Sequence, residues 1–167
     1  DGWWGFGRHG VQQWQQGSLR VAVACSAALG GASIAFPDTT GVATPVLVGE
    51  GVEQRRAEDV GVHLDSARAT AAEKILAAYD AGCRRFDSAI GGLGGCPFAP
   101  GATGNICTED LVHMLHCMGY ATGVDLDLLL ATSRRLGEIV GHDLPGQVVK
   151  AGKSSDLHPA PPELASH

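Results

Sequence analysis

Apolar positions recur along this chain with two different periods, and the switches between them mark its elements. Residues 32–38, ASIAFPD, form a short apolar run that ends in a DTTG turn, as a buried strand does. TPVLVGEGVEQRR (44–56) reads as a short helix weakened by Gly49 and Gly51. VGVHLD (60–65) is a second strand with polar groups at its C-terminal end. SARATAAEKILAAYDAG (66–82) then takes a helical period, with Ile75, Leu76 and Tyr79 on one face. Ser66 supplies its N-cap and Gly82 suits the position just past its end. CRRFDSAI (83–90) is a third strand. Thr108 caps the next helix, with Glu109 and Asp110 facing the positive end of its dipole. Leu111, Val112, Leu115 and Met118 form its buried face and Gly119 ends it; Asp125 or Asp127 starts a last helix that runs to about Val140.

Strand, helix, strand, helix, strand at this spacing predicts right-handed βαβ units, an α/β fold with a parallel sheet. In such sheets working groups gather at the C-terminal strand ends, where Asp38, His63, Asp65 and the loop after Ile90 all fall. The ends of the chain have another character. Residues 1–18 hold two adjacent tryptophans among glycines and glutamines and show neither period, so they read as an arm, flexible or docked on an apolar edge of another subunit. Residues 19–29 fit a helix by their alanines or a strand by their valines. Residues 19–145 are the expected domain, and 146–167 a Pro/Ser-rich strap.

Composition narrows the classes. The chain has 167 residues, 44% hydrophobic but only 5% aromatic, so small aliphatic side chains must build the core. A net charge of −6 without a Lys/Arg block disfavours nucleic acid and anionic membranes as partners. Cys25, Cys83, Cys96, Cys107 and Cys117 are odd in number and lack CxxC spacing, which points to reduced thiols in a cytoplasmic setting. The run VAVACSAALGGASIAF (21–36) carries too much Gly and Ser for a membrane span and lies too far along for a signal peptide.

GGLGGCPFAPGATGN (91–105) sets six glycines and an asparagine around one thiol. With TEDLVHMLHCMGYATGVDLDLLL after it and AGCRRFDSAI, VHLD and DTTGVATP before it, the sequence resembles 3-hydroxy-3-methylglutaryl-CoA lyase and its bacterial relatives, metal-dependent lyases built on a TIM barrel. The likeness covers about residues 32–160. It implies that Cys96 acts in the chemistry from a mobile lid and that Asn105 is a metal ligand. It implies the same for His63, the first of two strand-end histidines; the second falls on Asp65. Asp38 matches an aspartate close to the reacting substrate, and of an Asn-Thr-Arg-Gly segment only Arg68 is kept. An Arg-Asp pair on the family's first strand, which binds metal and stabilises the enolate, has no counterpart. The resemblance therefore implies the C-terminal half of a barrel of about 250 residues, truncated and diverged, whose open edges a homo-oligomer, most simply a dimer, would cover.

Such a site would hold Mn²⁺ or Mg²⁺ through His63, Asp65 and Asn105, since an aspartate in place of histidine makes it harder and more anionic. Cys96, Asp38 and His63 are the candidate catalytic groups, Asp38 as a fourth ligand or a general base. Each has a plainer alternative: His63 as a hydrogen-bonded surface group, Asp65 as a helix cap, Asp38 as a turn residue, Cys96 as an inert remnant. His113 and His116 read as surface residues, and the loop glycines could serve only close packing. Three functions stay open. Hydrolysis of a phosphoester or activated ester needs only a metal-bound hydroxide and an oxyanion stabiliser, and is set first because the Arg-Asp pair is missing. Acyl-CoA lyase chemistry on a small-molecule thioester is the alternative, with cleavage of 3-hydroxy-3-methylglutaryl-CoA expected to be undetectable or very weak. A non-catalytic assembly fragment is the third.

Overall fold

The computed structural model describes residues 34–38, 41–54, 60–95 and 103–157. The arm expected over 1–18, the element over 19–29, Cys96 and the tail beyond 157 lie outside the described residues. Within them the chain runs β1 (Ile34–Asp38), α1 (Pro45–Glu53), β2 (Val60–Leu64), α2 (Ala71–Asp80), β3 (Arg85–Asp87), a 3₁₀ turn (Ile90–Gly92), α3 (Thr108–Cys117), α4 (Leu126–Val140) and α5 (Val148–Ala151).

The three strands form one parallel sheet in the order β1-β2-β3. Pro37 lies opposite His63, and His63 opposite Asp87, so the polar ends of all three strands share one edge. The sheet is open among the described residues, a partial barrel-like arrangement rather than a closed ring. Along β2 burial alternates. Val60, Val62 and Leu64 join Val48 and Val52 of α1 and Ile75 and Ala78 of α2 in the main core, while Gly61 and His63 on the other face are half-buried. Burying each such aliphatic side chain is worth about 1.5–3 kcal/mol, so this layer carries most of the drive to fold. A second cluster joins Val112 of α3 to Leu126, Leu129 and Leu130 of α4, with Val148 and Val149 of α5 packed on it. Helix α5 is thus bound to the domain, and Leu144 and Gly146 on the way to it are buried.

Helix ends follow the sequence in part. Thr44 caps α1 through Leu47 N–H, with Pro45 at the first helical position. Asp125, not Asp127, caps α4 through Leu128 N–H. Gly82 closes α2 in a left-handed conformation, its N–H bonded to Tyr79 O and that of Cys83 to Ala78 O. Two caps differ from expectation. Residues 66–70 are not helical: Ser66 N–H is taken by Gly104 O at 2.9 Å, and a turn closes from Ala69 N–H to Ser66 O. Helix α2 therefore starts at Ala71 behind Thr70. Likewise Thr108 is the first residue of α3 rather than its cap, and its hydroxyl meets Ser88 Oγ at 2.9 Å. Leu111 and Val112 are buried as expected, but Met118 is 45% exposed because α3 has ended one residue before it. The third strand is shorter than 83–90. Cys83 and Arg84 precede it, and Ala89 pairs with Cys107 beyond the loop instead.

Candidate functional site

Asp38 closes β1 and its carboxylate is filled by neighbours. Oδ1 accepts from Val42 N–H at 3.0 Å, both oxygens accept from Ala43 N–H, and Oδ2 accepts from Lys74 Nζ at 2.6 Å. Lys74 rises from α2 with its side chain 0% exposed, so this is an ion pair sealed beneath the strand end. Gly41, in the same turn, comes so close to Arg68 that a Cβ there would stand 3.1 Å from Arg68 N.

One residue past β2, Asp65 is in the reverse position. It is buried, yet its Oδ1 has no hydrogen-bond partner. Burial pushes its pKa up; the nearby His63 imidazole works against that shift and Asp38 adds to it. His63 Nε2 lies 3.9 Å from Asp65 Oδ1, and its Nδ1 lies 3.7 Å from Asp87 Oδ2 on β3. The backbone of Asp65 pairs antiparallel with Asn105. That bridge returns the far end of the glycine loop to the strand end, and Ile106 N–H donates to Leu64 O at 3.1 Å just beyond it. Asn105 Nδ2 donates to Leu93 O at 3.4 Å, and the amide oxygen Oδ1 is the group's acceptor. His63, Asp65 and Asn105 are thus brought to one end of the sheet. Among the described residues no group of three or more His, Cys, Asp or Glu side chains is gathered as a metal cage; the set here is one imidazole, one carboxylate and one amide.

The loop between them is built on bare backbone at both ends. Gly91 has φ +67°, and a Cβ on it would overlap Leu144; a Cβ on Gly104, φ +100°, would overlap Gly92 O. Close packing is therefore a real demand on these glycines. Two of the thiols, Cys83 and Cys107, are buried and held in the protonated form. Burial, with Asp110 and Glu109 adding to it, pushes Cys107 up to about 12, and burial raises Cys83 as well. Cys117 is exposed, near His113 and Ser154. His116 is at the surface against Thr122, whereas His113 is half-buried and accepts from Ser154 N–H at 3.0 Å.

Sequence reasoning missed two groups. Lys74 reads as a surface residue until its partner, 36 positions away, is known. Glu109 reads as a dipole partner, but it is wholly buried and binds Gly91 N–H and Ser133 Oγ. Its neighbour Asp110 instead accepts from Gln147 and Val148 N–H, at the start of α5.

Residues 13–136 match the family described as HMGL-like. The (R)-citramalyl-CoA lyase of Chloroflexus aurantiacus is 45% identical over 128 residues, 74% of this chain and 40% of that protein. A hydroxymethylglutaryl-CoA lyase of Bacillus subtilis is 37% identical over 126 residues, 73% of this chain and 42% of that protein. The structure of an HMG-CoA lyase from Acinetobacter baumannii in complex with coenzyme A and 3-methylmalate superposes with a TM-score of 0.86 at 45% identity, covering 93% of this chain and 52% of that one. The chain thus spans about half the length, or less, of the relatives it matches. These likenesses overturn the expectation of a phosphoester or activated-ester hydrolase, because the relatives are CoA lyases. That expectation leaned on a missing Arg-Asp pair, and a chain that spans only part of its relatives says nothing against their chemistry by what it lacks.

Proposed function

Because this chain belongs to the HMGL-like family, we propose that it carries part of the active site of an acyl-CoA lyase that cleaves a carbon–carbon bond in a 3-hydroxy-3-methylacyl-CoA. The observation that supports this most is the buried, unpartnered Oδ1 of Asp65, beside His63 and joined to Asn105 at the C-terminal end of a parallel sheet. An orphaned carboxylate oxygen near an imidazole, on a residue whose backbone pairs with an asparagine, is a donor set that suits a hard divalent cation such as Mn²⁺ or Mg²⁺. His63, Asp65 and Asn105 would hold it. When bound, such an ion draws electron density from the hydroxyl and carbonyl oxygens of a substrate.

The rest is the work of the chain itself. In a retro-aldol cleavage the 3-hydroxyl gives its proton to a base, its oxygen becomes the carbonyl of the departing keto acid, and the bond between C2 and C3 breaks with its electron pair moving into the thioester enolate. That enolate then takes a proton at C2 to give acetyl-CoA. Cys96 on the glycine loop is our candidate for this last donor, the role that the family resemblance implies for it. Asp38 is placed as an anchor: its oxygens are occupied by Lys74 and by the backbone amides of the 41–43 turn, which shape the rim of the site.

The test is acetyl-CoA release from 3-hydroxy-3-methylglutaryl-CoA and from (R)-citramalyl-CoA, with and without Mn²⁺ after treatment with a chelator. We expect release that needs the metal and that is lost in His63→Ala and in Cys96→Ala. Release of acetyl-CoA that is indifferent to chelator and to His63→Ala, or a protein that takes up no Mn²⁺, would refute the reading.

A further inference from the structure

Among the described residues, Glu109 is the one buried carboxylate that neither the strand-end cluster nor the lyase reading employs. It is 0% exposed at the start of α3. Its two oxygens share the Gly91 N–H at 2.9 and 3.0 Å, and Oε1 also takes a hydrogen bond from Ser133 Oγ on α4 at 2.5 Å. Hydrogen bonds to a buried charged acceptor are among the strong ones, and they act here on a residue that has no side chain of its own to hold it. The N–H of Gly91 is the handle by which the loop root is gripped.

What hangs on that grip follows along the backbone. Gly91 lies inside the 3₁₀ turn, in which Gly92 N–H bonds Ala89 O and Leu93 N–H bonds Ile90 O. The turn carries Leu93 O to Asn105 Nδ2 at 3.4 Å. On the opposite side, a Cβ at Gly92 would stand 2.6 Å from Cys107 Sγ and 3.2 Å from Asn105 O, so the outgoing and returning ends of the loop lie in contact. A shift of Gly91 therefore moves the carbonyl that orients the Asn105 amide.

We propose that Glu109, steadied by Ser133, is a positioning residue that latches the root of the glycine loop and so sets which way the Asn105 amide presents its oxygen. The Asn105 half of this inference rests on the metal-site reading above; the latch itself does not. A dipole partner at a helix N-terminus would work equally well exposed and would need no hydroxyl from a second helix. Burial with two partners on different elements is the geometry of a fastener.

Amide hydrogen exchange and calorimetric titration with Mn²⁺ test it on Glu109→Ala, Glu109→Gln and Ser133→Ala. Glu109→Ala should exchange roughly tenfold faster at 91–95 and 103–105 and bind Mn²⁺ roughly tenfold more weakly, as losses next to a ligand do. Exchange in α1 should not change. Glu109→Gln should restore both to within about threefold of wild type, because its amide can accept from Gly91 and donate to Ser133. Wild-type exchange and affinity in a folded Glu109→Ala would overturn the proposal, as would a Glu109→Gln no better than the alanine variant. If Glu109→Ala does not fold, Ser133→Ala decides: exchange about threefold faster at 91–95 supports the latch, and unchanged exchange overturns it. A wild-type protein that takes up no Mn²⁺ would refute the metal-site reading, and exchange alone would then judge the latch.

Discussion

Asp38 and Asp65 stand at the C-terminal ends of neighbouring strands, 1% and 2% exposed, and the chain treats them in opposite ways. Asp38 is enclosed by a buried ammonium and two backbone amides. Asp65 keeps one oxygen without a hydrogen bond, 3.9 Å from the His63 imidazole. Leaving a buried polar atom unpaired costs about 1–3 kcal/mol, so the second arrangement persists against stability, while the first is part of it. Burial alone does not distinguish a working carboxylate from a fastening one. What each oxygen already holds does.

The largest test of that contrast is Lys74→Met. It removes the cation and leaves the Asp38 charge sealed in, which should cost about 3–5 kcal/mol of unfolding free energy in a urea titration. A loss below about 1 kcal/mol would mean that the pair is no more than a surface ion pair in effect, and the contrast would fall. Next comes Asp65→Asn, which keeps shape and removes charge. Mn²⁺ affinity measured by calorimetry should drop by about tenfold or more, while the unfolding free energy rises by about 1 kcal/mol because no charge need be desolvated. An equal loss of stability in Asp65→Asn and Lys74→Met would show the two carboxylates to be alike.

The smallest effect is the dependence on pH. Since burial raises the Asp65 pKa above its ordinary 3.8, the folded protein holds that proton more firmly than the unfolded chain does. Its contribution is present below 3.8 and is lost as pH rises through the raised folded value. The stability gained in Asp65→Asn should therefore grow with pH across that window and then level off. Chemical denaturation of both proteins at several pH values reads this directly, and a constant difference would contradict it.

The sequence made the parallel sheet legible because βαβ order depends on local periods. The switch from alternating VGVHL to a helical repeat, and the glycine at 82 with φ +102°, need no distant partner to be understood. The caps were harder. Ser66 and Thr108 are good capping residues by type, but the glycine loop's return claims the backbone of Ser66, and Thr108 is turned to Ser88. The meeting of His63, Asp65 and Asn105 at one end of the sheet was legible through strand order and family resemblance, and their role as ligands is our proposal. The polar supports were not. Lys74 sits where a solvent-facing helix position is the ordinary reading, and Glu109 where a dipole partner is; only three-dimensional contact turns either inward. The glycine loop lay between: its need for bare backbone was visible, and the side chains that require it, Leu144 and Cys107, were not.

Leu144 has a consequence in time. The space that a side chain on Gly91 would fill is taken by a residue made long after it, and Asp110 waits for the amides of Gln147 and Val148. As the chain leaves the ribosome, the sheet can gather once β3 is out, since its contacts lie within residues already made. The root of the loop cannot be finished until α5 has emerged. During synthesis the root of the loop sets after the sheet that it is fastened to.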